Sequence, residues 1–207
     1  MSNINFAELG VTDFDIGMSI DTRHLEWMHY VLSNPVGGPW LSSLESGSWK
    51  GVSSSVFVDA ANKVHILRAM FADINFQPQA IKVIGGHEIF HGKCADAIRI
   101  NPPFDVVFLD SDHRLAPTQE EWKAIIAKPE LPRLLVAHDT NSVNLKLGGC
   151  EGPAWLYNVI VNDPSYYWVH DCEQRDNERT DRGLFMATKD ENILEVIMEG
   201  YRATCFA

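Results

Sequence analysis

Three short stretches of this chain hold the residue types that can do chemistry. Asp110-Ser111-Asp112-His113 follows the apolar run Phe104 to Leu109, and His138-Asp139-Thr140-Asn141 follows Leu134 to Ala137. Asp110, Asp112 and Asp139, with His138 and Asn141, offer hard oxygen donors and an imidazole, a set suited to Mg2+, Ca2+ or Mn2+ and unlike the sulfur-rich set of structural zinc. The same acids also suit the caps of following helices and turns. His113 and His138 are the candidates to take a proton from a reacting hydroxyl, His113 slightly ahead because His138, beside Asp139, can instead serve as a ligand or as the partner of one. A structural loop role fits each histidine equally well.

The third stretch is Glu45, Gly47 and Gly51, ahead of Ser53. Glycines four apart between a strand and a helix let the backbone pass close to a ligand, while the helix N-terminus offers free N–H donors. Taken alone, the spacing equally describes a plain tight turn.

Alternating elements would bring these residues together. Asp21 is placed to cap a lid or edge helix through Leu25, Met28 and Val31/Leu32, which Asn34-Pro35 and Gly37-Gly38 stop. Trp40 to Leu44 reads as a short strand, Ser46 to Gly51 as a turn, and Val52 to Lys63 as a helix with Val56, Phe57 and Ala60 inward. Val64 to Ala72 reads as a second strand ending at Asp73, and β-branched Ala80 to Ile84 as a third, ending at Gly85-Gly86. So short a link between two parallel strands leaves no crossover helix, unless Ser55 to Val58 is the second strand and Ala61 to Asn75 a helix.

Phe104 to Leu109 is the clearest strand, apolar on both faces as a central parallel strand must be. Thr118 with Glu121 reads as a capping box opening a helix through Trp122, Ile125 and Ile126, followed by the strand Leu134 to Ala137. Pro153 stands in the first turn of the next helix, after Gly148-Gly149. Tyr166 to His170 and Leu184 to Thr188 form an antiparallel edge hairpin around a charged loop, Asp171 to Arg182, and a helix from about Glu191 to Tyr201 closes the chain. The pattern predicts an α/β fold, Rossmann-like and doubly wound, with a mostly parallel sheet whose ligands sit at the carboxyl ends of the strands. One domain is expected over 1–207, with residues 1–38 a helical extension and 39–207 the core.

Composition narrows the partners. With 17 basic against 28 acidic residues the net charge is −11, a sign that repels phosphate backbones and argues against nucleic acid. Cys94, Cys150, Cys172 and Cys205 are scattered and read as reduced thiols. The N-terminus carries no basic region before an apolar run, and no segment has the length of a membrane span, so a cytoplasmic protein without a membrane partner is expected.

Leu44-Glu45-Ser46-Gly47-Ser48-Trp49-Lys50-Gly51-Val52-Ser53-Ser54 resembles the first motif of the class I S-adenosylmethionine (SAM) dependent methyltransferases. Phe104 to His113 resembles that fold's fourth strand, and Ala137-His138-Asp139-Thr140 the fifth-strand ending of a subgroup related to cephalosporin hydroxylases and macrolide sugar O-methyltransferases, the methyltransferase family 24 type. The resemblance runs from about Trp40 to Thr188. It implies that Glu45, Gly47 and Gly51, with Ser53 of the same motif, surround the methionine part of SAM, and that Asp73 holds the ribose hydroxyls, Asp59 taking that role under the alternative strand placement. Gly86-His87 stands where the family has Gly-Asp beside the adenine. Asp110 and Asp139 match positions that bind a divalent metal, Mg2+ or similar, orienting a substrate hydroxyl.

The implied activity is metal-assisted transfer of a methyl group from SAM to a hydroxyl of a small-molecule acceptor. Two rivals are a degenerate methyltransferase fold that binds SAM or a nucleotide without transfer, and a metal-dependent hydrolase or hydroxylase. Neither the acceptor nor the oligomeric state, a homo-oligomer included, is written in the sequence.

Overall fold

A computed structural model describes residues 7–8, 11–12, 20–140, 150–172 and 183–205. Successive side chains of a strand point to opposite faces, so a strand buried on both sides must be apolar throughout. That is what the centre of the sheet shows. In β4 (Val106–Leu109), Val106 and Phe108 pack into one cluster and Val107 and Leu109 into the other. In β5 (Leu134–His138), Leu134 and Val136 part from Leu135 and Ala137 in the same way.

Four further elements precede these strands: α1 (Thr22–Ser33), β1 (Ser43–Ser46), α2 (Val52–Asn62) and β2 (Ala69–Asp73). Next come α3 (Pro78–Ile84), β3 (Glu88–His91) and α4 (Cys94–Ile100) before β4, then α5 (Leu115–Ile126) before β5. The chain closes with α6 (Glu151–Val161), β6 (Tyr167–Asp171), β7 (Leu184–Thr188) and α7 (Glu191–Thr204). The described strands form one seven-stranded sheet in the order β3-β2-β1-β4-β5-β7-β6. The first five pair in parallel, and β7 runs antiparallel between β5 and β6. Strand order reverses between β1 and β4, the switch point at which open α/β sheets open a crevice. This is the doubly wound sheet with an antiparallel C-terminal pair that the residue pattern predicts.

One face is covered by α1, α2, α3 and α7, through Leu25, Trp27, Phe57, Val83 and Ile197 among others, and the opposite face by α4, α5 and α6. Helix α1 is no lid: Leu25, Met28, Val31 and Leu32 are buried, and the Trp27 indole N–H donates to the Ile197 carbonyl at 2.9 Å. The Trp40 indole likewise donates to the Leu32 carbonyl, so α1 is tied to the sheet as well as to α7. No helix among the described residues is long and apolar enough to cross a membrane.

The reading of the second crossover is corrected. Residues 80–84 belong to α3, with Pro78 in its first turn and Gly85 at φ 60 as its C-cap. Ala80, Val83 and Ile84 are buried at i, i+3 and i+4, and this helical spacing outweighs the β-propensity of Ile81 and Val83. The third strand is β3, an edge strand whose side chains are largely exposed, which is why no apolar run announces it. The crossover helix is therefore present. Ser55 to Val58 lie inside α2, which also excludes Asp59 as a strand-end carboxylate; it accepts from Lys63 and meets His29.

The capping box is corrected too. Helix α5 starts at Leu115 with Arg114 as N-cap, and the Thr118 hydroxyl donates back to the carbonyls of Asp112 and Arg114. Glu121 is thereby released from capping and turns toward the ends of β1 and β4.

Candidate active site

The glycine turn is organised around a buried acid. Glu45, fully buried on β1, accepts hydrogen bonds from the hydroxyls of Ser48, Ser53 and Ser54. Burial pushes its carboxyl up to about 7, against the three hydroxyls that favour the ionised form. Glu45 and Ser53 therefore shape the loop from beneath. Gly47 stands at φ 96 with its Cα against the end of β4, where a Cβ would press on the Asp110 carbonyl and lie 2.6 Å from Ser111 Cα. Gly51, at φ 82, turns its missing side chain toward α3, 2.8 Å from Ala80 Cα, so it serves helix packing.

A second buried acid ties three elements together. Glu121 on α5 accepts from Ser46 at the end of β1 and from Ser111 after β4. Burial, ahead of any charge effect, raises its carboxyl pKa.

Beside this scaffold a cleft of about 740 Å³ opens at the carboxyl ends of β2, β3 and β4. Asp73, Lys93, Cys94, Ser111, His113 and Ala116 are among its lining residues. Asp73 stands there as predicted, and its carboxylate accepts from the backbone N–H of Trp49 at 2.8 Å and of Asn75 at 2.7 Å. It thus locks the glycine loop to the end of β2. His87 is not at the cleft. It precedes β3, at the amino edge of the sheet, with its ring 6.2 Å from that of Phe71. With β3 corrected to Glu88–His91, the residues at its carboxyl end are Gly92 and Lys93.

Next to the cleft the two polar clusters meet. Asp110 Oδ1 lies 3.2 Å from His113 Nε2 and 3.3 Å from His138 Nδ1. Asp139 Oδ2 lies 3.2 Å from His113 Nε2, and Asp139 Oδ1 lies 3.5 Å from His138 Nδ1. Two carboxylates and two imidazoles therefore form one cluster, in which Asp139 meets the two rings through different oxygens. Asp139 reaches it from a left-handed backbone, φ 54, an unfavourable conformation for a residue with a side chain. Asp112, predicted as a third carboxylate, instead pairs with Arg114 through both of its oxygens. Asn141 lies outside the described residues, as do Gly148, Gly149 and most of the charged loop after Asp171.

His113, the expected base, stands inside this cluster. Its Nε2 faces Asp110 and Asp139, and its Nδ1 lies 3.8 Å from Cys150 Sγ, so both ring nitrogens address protein groups rather than the cleft. Burial alone would lower its pKa; hydrogen bonds with Asp110 and Cys150 and the charges of Asp110 and Asp139 override this and raise it to about 11. His138 is 1% exposed, and its pKa is raised in the same sense, burial opposing and Asp139 and Asp110 prevailing. For Asp110, burial is again outweighed by the two histidines, which hold its carboxyl down at about 2.

Composition and motif reading missed the part played by four residues. Arg23 and His24 of α1 both bond Asp171 at the end of β6, and the His24 ring meets that of His138 edge-on at 6.1 Å. Their signal was faint: three polar residues, Asp21 to Arg23, at the start of an amphipathic helix. In sequence Cys150 reads as one of four scattered thiols and Glu121 as part of a capping box, whereas in the fold they meet His113 and Ser111. Gly152 gives a reason for the approach of α6, since its N–H donates to the His113 carbonyl and a Cβ there would strike Thr118 and the Arg114 carbonyl.

No protein-family model matches the sequence, and no curated protein does. Solved structures do. The chain is similar to the O-methyltransferase from Bacillus cereus in complex with SAH, with a TM-score of 0.59 and 13% identity over 81% of this chain and 80% of that one. It is similar to the O-methyltransferase TomG from Streptomyces achromogenes, involved in tomaymycin synthesis, in complex with SAM, at 0.60 and 12% over 89% and 86%. It is also similar to an rRNA methylase from Streptococcus thermophilus, at 0.55 and 13% over 83% and 99%. At such identities the likeness speaks for architecture, and the chain has the Rossmann-like fold of the class I methyltransferases.

Proposed function

We propose that this protein transfers a methyl group from SAM to a hydroxyl of a small-molecule acceptor, with a divalent ion held by Asp110 and Asp139. One observation carries the reading: His113 lines the cleft and also belongs to the Asp110–His138–Asp139 cluster, so the space for a cofactor and the charged cluster share a wall. Two of the similar structures are O-methyltransferases in complex with SAM or SAH. A third is an rRNA methylase, so acceptor class does not follow from architecture. The net charge of −11 disfavours an RNA acceptor here.

The donor set fits a divalent ion. One oxygen from each of Asp110 and Asp139 and one ring nitrogen of His138 lie within 4.8 Å of one another, largely shielded from solvent. Such an ion, when bound, lowers the pKa of a coordinated hydroxyl. The chain's own residues orient the reactants. Asp73 and the Glu45 serine cradle fix the glycine loop, and Glu121 fixes the ends of β1 and β4. With the crossover helix in place, the degenerate-fold reading loses its main motive.

The test is a thermal shift with SAM, which stabilises the protein by mass action when it binds the folded state. A rise of several degrees at millimolar SAM is expected, and Ala116→Trp, which fills the cleft from the exposed face of α5, should abolish it. An equal rise in the variant would place the ligand elsewhere, and no rise in the wild type would refute SAM binding. Transfer itself is checked by SAH release with a panel of hydroxylated small molecules.

A further inference from the structure

Ser46 and Ser111 donate to the same oxygen of Glu121, Oε1, at 2.8 and 2.5 Å. These two bonds make the tie between β1 and β4, and they leave Oε2 with no hydroxyl or N–H donor among the described residues. The neighbouring Cys94 thiol is a weak donor already given to the Ala72 carbonyl. Yet Glu121 is only 5% exposed and lines the cleft. Burial, which raises its pKa, is opposed by both hydroxyls, and in the ionised form Oε2 can only accept. A shielded carboxylate oxygen without a donor costs free energy, so a ligand that brings an N–H to it gains affinity.

Four acids line the cleft among the described residues, and the other three are engaged. Asp73 accepts backbone N–H groups on both oxygens, Asp112 meets Arg114 with both of its own, and Glu120 lies 3.9 Å from Lys93. Lys93, beyond the end of β3, carries donors alone and cannot accept from a ligand N–H. Ala95, Ala116 and Pro117 supply apolar wall for a flat ring. Asp73 holds the glycine loop through the Trp49 N–H and also lines the cleft. A cofactor with its methionine part on that loop therefore sends its base past Asp73 toward Glu121.

We propose that Glu121 is a specificity-determining residue, whose Oε2 accepts from the exocyclic amine of the cofactor's purine and so selects adenine over a 6-oxo purine. The inference rests on the reading of the cleft as a SAM site and deepens it.

The experiment is calorimetric titration of the full chain with SAH and with its 6-oxo analogue, hypoxanthine in place of adenine. Wild type should bind SAH at least about 10-fold more tightly, since the analogue sets an acceptor against an acceptor. Glu121→Gln keeps the shape of the side chain. With its carbonyl oxygen held by Ser46 and Ser111, it turns an NH2 donor toward the ligand. SAH affinity should fall at least about 10-fold, and the preference should vanish or invert in favour of the analogue, an outcome that a purely structural Glu121 would not produce. Glu121→Ala should lose the preference without inverting it, and circular dichroism checks that each variant is folded. Lys93→Ala, at an exposed position, should leave the preference unchanged. Equal binding of the two ligands by wild type, a full preference for SAH in either Glu121 variant, or its loss in Lys93→Ala would overturn the inference while leaving SAM binding intact. Failure of wild type to bind either ligand would sink both.

Discussion

The carboxyl and amino ends of the parallel strands are built on opposite terms. At the carboxyl ends, Glu45, Glu121, His138 and Asp139 are charged or polar groups with little or no exposure. At the amino ends, Leu41, Val64, Leu67 and Ile100 are apolar side chains that are 64%, 62%, 56% and 71% exposed. Stability alone would favour the reverse, since burying polar groups costs free energy and burying apolar ones gains it. The backbone repeats the contrast. Asp139 and Val64 both adopt positive φ, 54° and 62°, yet only Asp139 directs its side chain into a hydrogen-bonded cluster. Strain held in place by a polar network marks a functional end, whereas strain beside solvent marks a turn that the fold merely tolerates.

The largest expected effect tests how tightly the functional end is packed. Gly47→Ala forces a Cβ against the Asp110 carbonyl, backbone on backbone, where neither side can yield cheaply. A loss of about 4 kcal/mol or outright failure to fold is expected. Gly37→Ala, also at positive φ but with nothing within 4 Å, should cost only about 1 kcal/mol. Urea denaturation of both variants measures the difference, and equal losses would erase the contrast between the two ends.

Glu45 gives the next effect. Its carboxyl is raised to about 7 when folded, so the folded state holds the proton more tightly than the unfolded chain. The stability from this group is complete below its ordinary value of 4.5 and is lost as pH rises through about 7, a change of about 3 kcal/mol. Glu45→Gln should flatten stability between pH 4.5 and 7, as followed by melting temperature across that range. A wild-type curve that rises with pH there, and is unaltered by the substitution, would show that the serine hydroxyls hold Glu45 ionised.

Asp139→Asn isolates charge from backbone, because asparagine tolerates left-handed φ nearly as well. The chelated protein should lose about 1 to 2 kcal/mol, and the His113 titration, followed by NMR, should move down from about 11. An unmoved titration would leave Asp110 as the only carboxylate that matters to His113.

Much of this arrangement was legible in the sequence, for physical reasons that also set the limits. Phe104 to Leu109 and Leu134 to Ala137 announce themselves because a central strand must be apolar on both faces, and the acids that end such runs necessarily fall at the crevice. Edge strand β3 has no such constraint, so its place went to Ala80 to Ile84 and His87 was carried to the wrong end of the sheet. Which acids would converge was not legible either. Asp110 and Asp112 are alike in sequence, and only the turn after β4 sends one to His113 and His138 and the other to Arg114. The contributions of His24 and Asp171 depend on α1 packing beside β6, a contact across 147 residues of chain that no local pattern encodes.

The smallest effect returns to the two strained residues and asks whether one substitution changes sign between the ends. Val64 follows α2 in a turn closed by its N–H on the Ala61 carbonyl at 3.0 Å, a bond that glycine preserves. A β-branched residue in the left-handed region costs about 1 to 2 kcal/mol, and with 62% of the residue exposed little burial is forfeited on replacement. Glycine gives back about 0.5 to 1 kcal/mol through the greater freedom of the unfolded chain. Val64→Gly should therefore stabilise by up to about 1 kcal/mol, raising the melting temperature by about 2 to 4 °C for a chain of this size. Asp139→Gly relieves a smaller strain, since aspartate visits the left-handed region more readily than valine, and removes the carboxylate that faces His113 and His138, leaving both imidazoles with one anionic partner in place of two. It should lower the melting temperature. If calorimetry shows both variants more stable than the wild type, the cluster does not compensate the backbone at Asp139, and its strain needs another explanation.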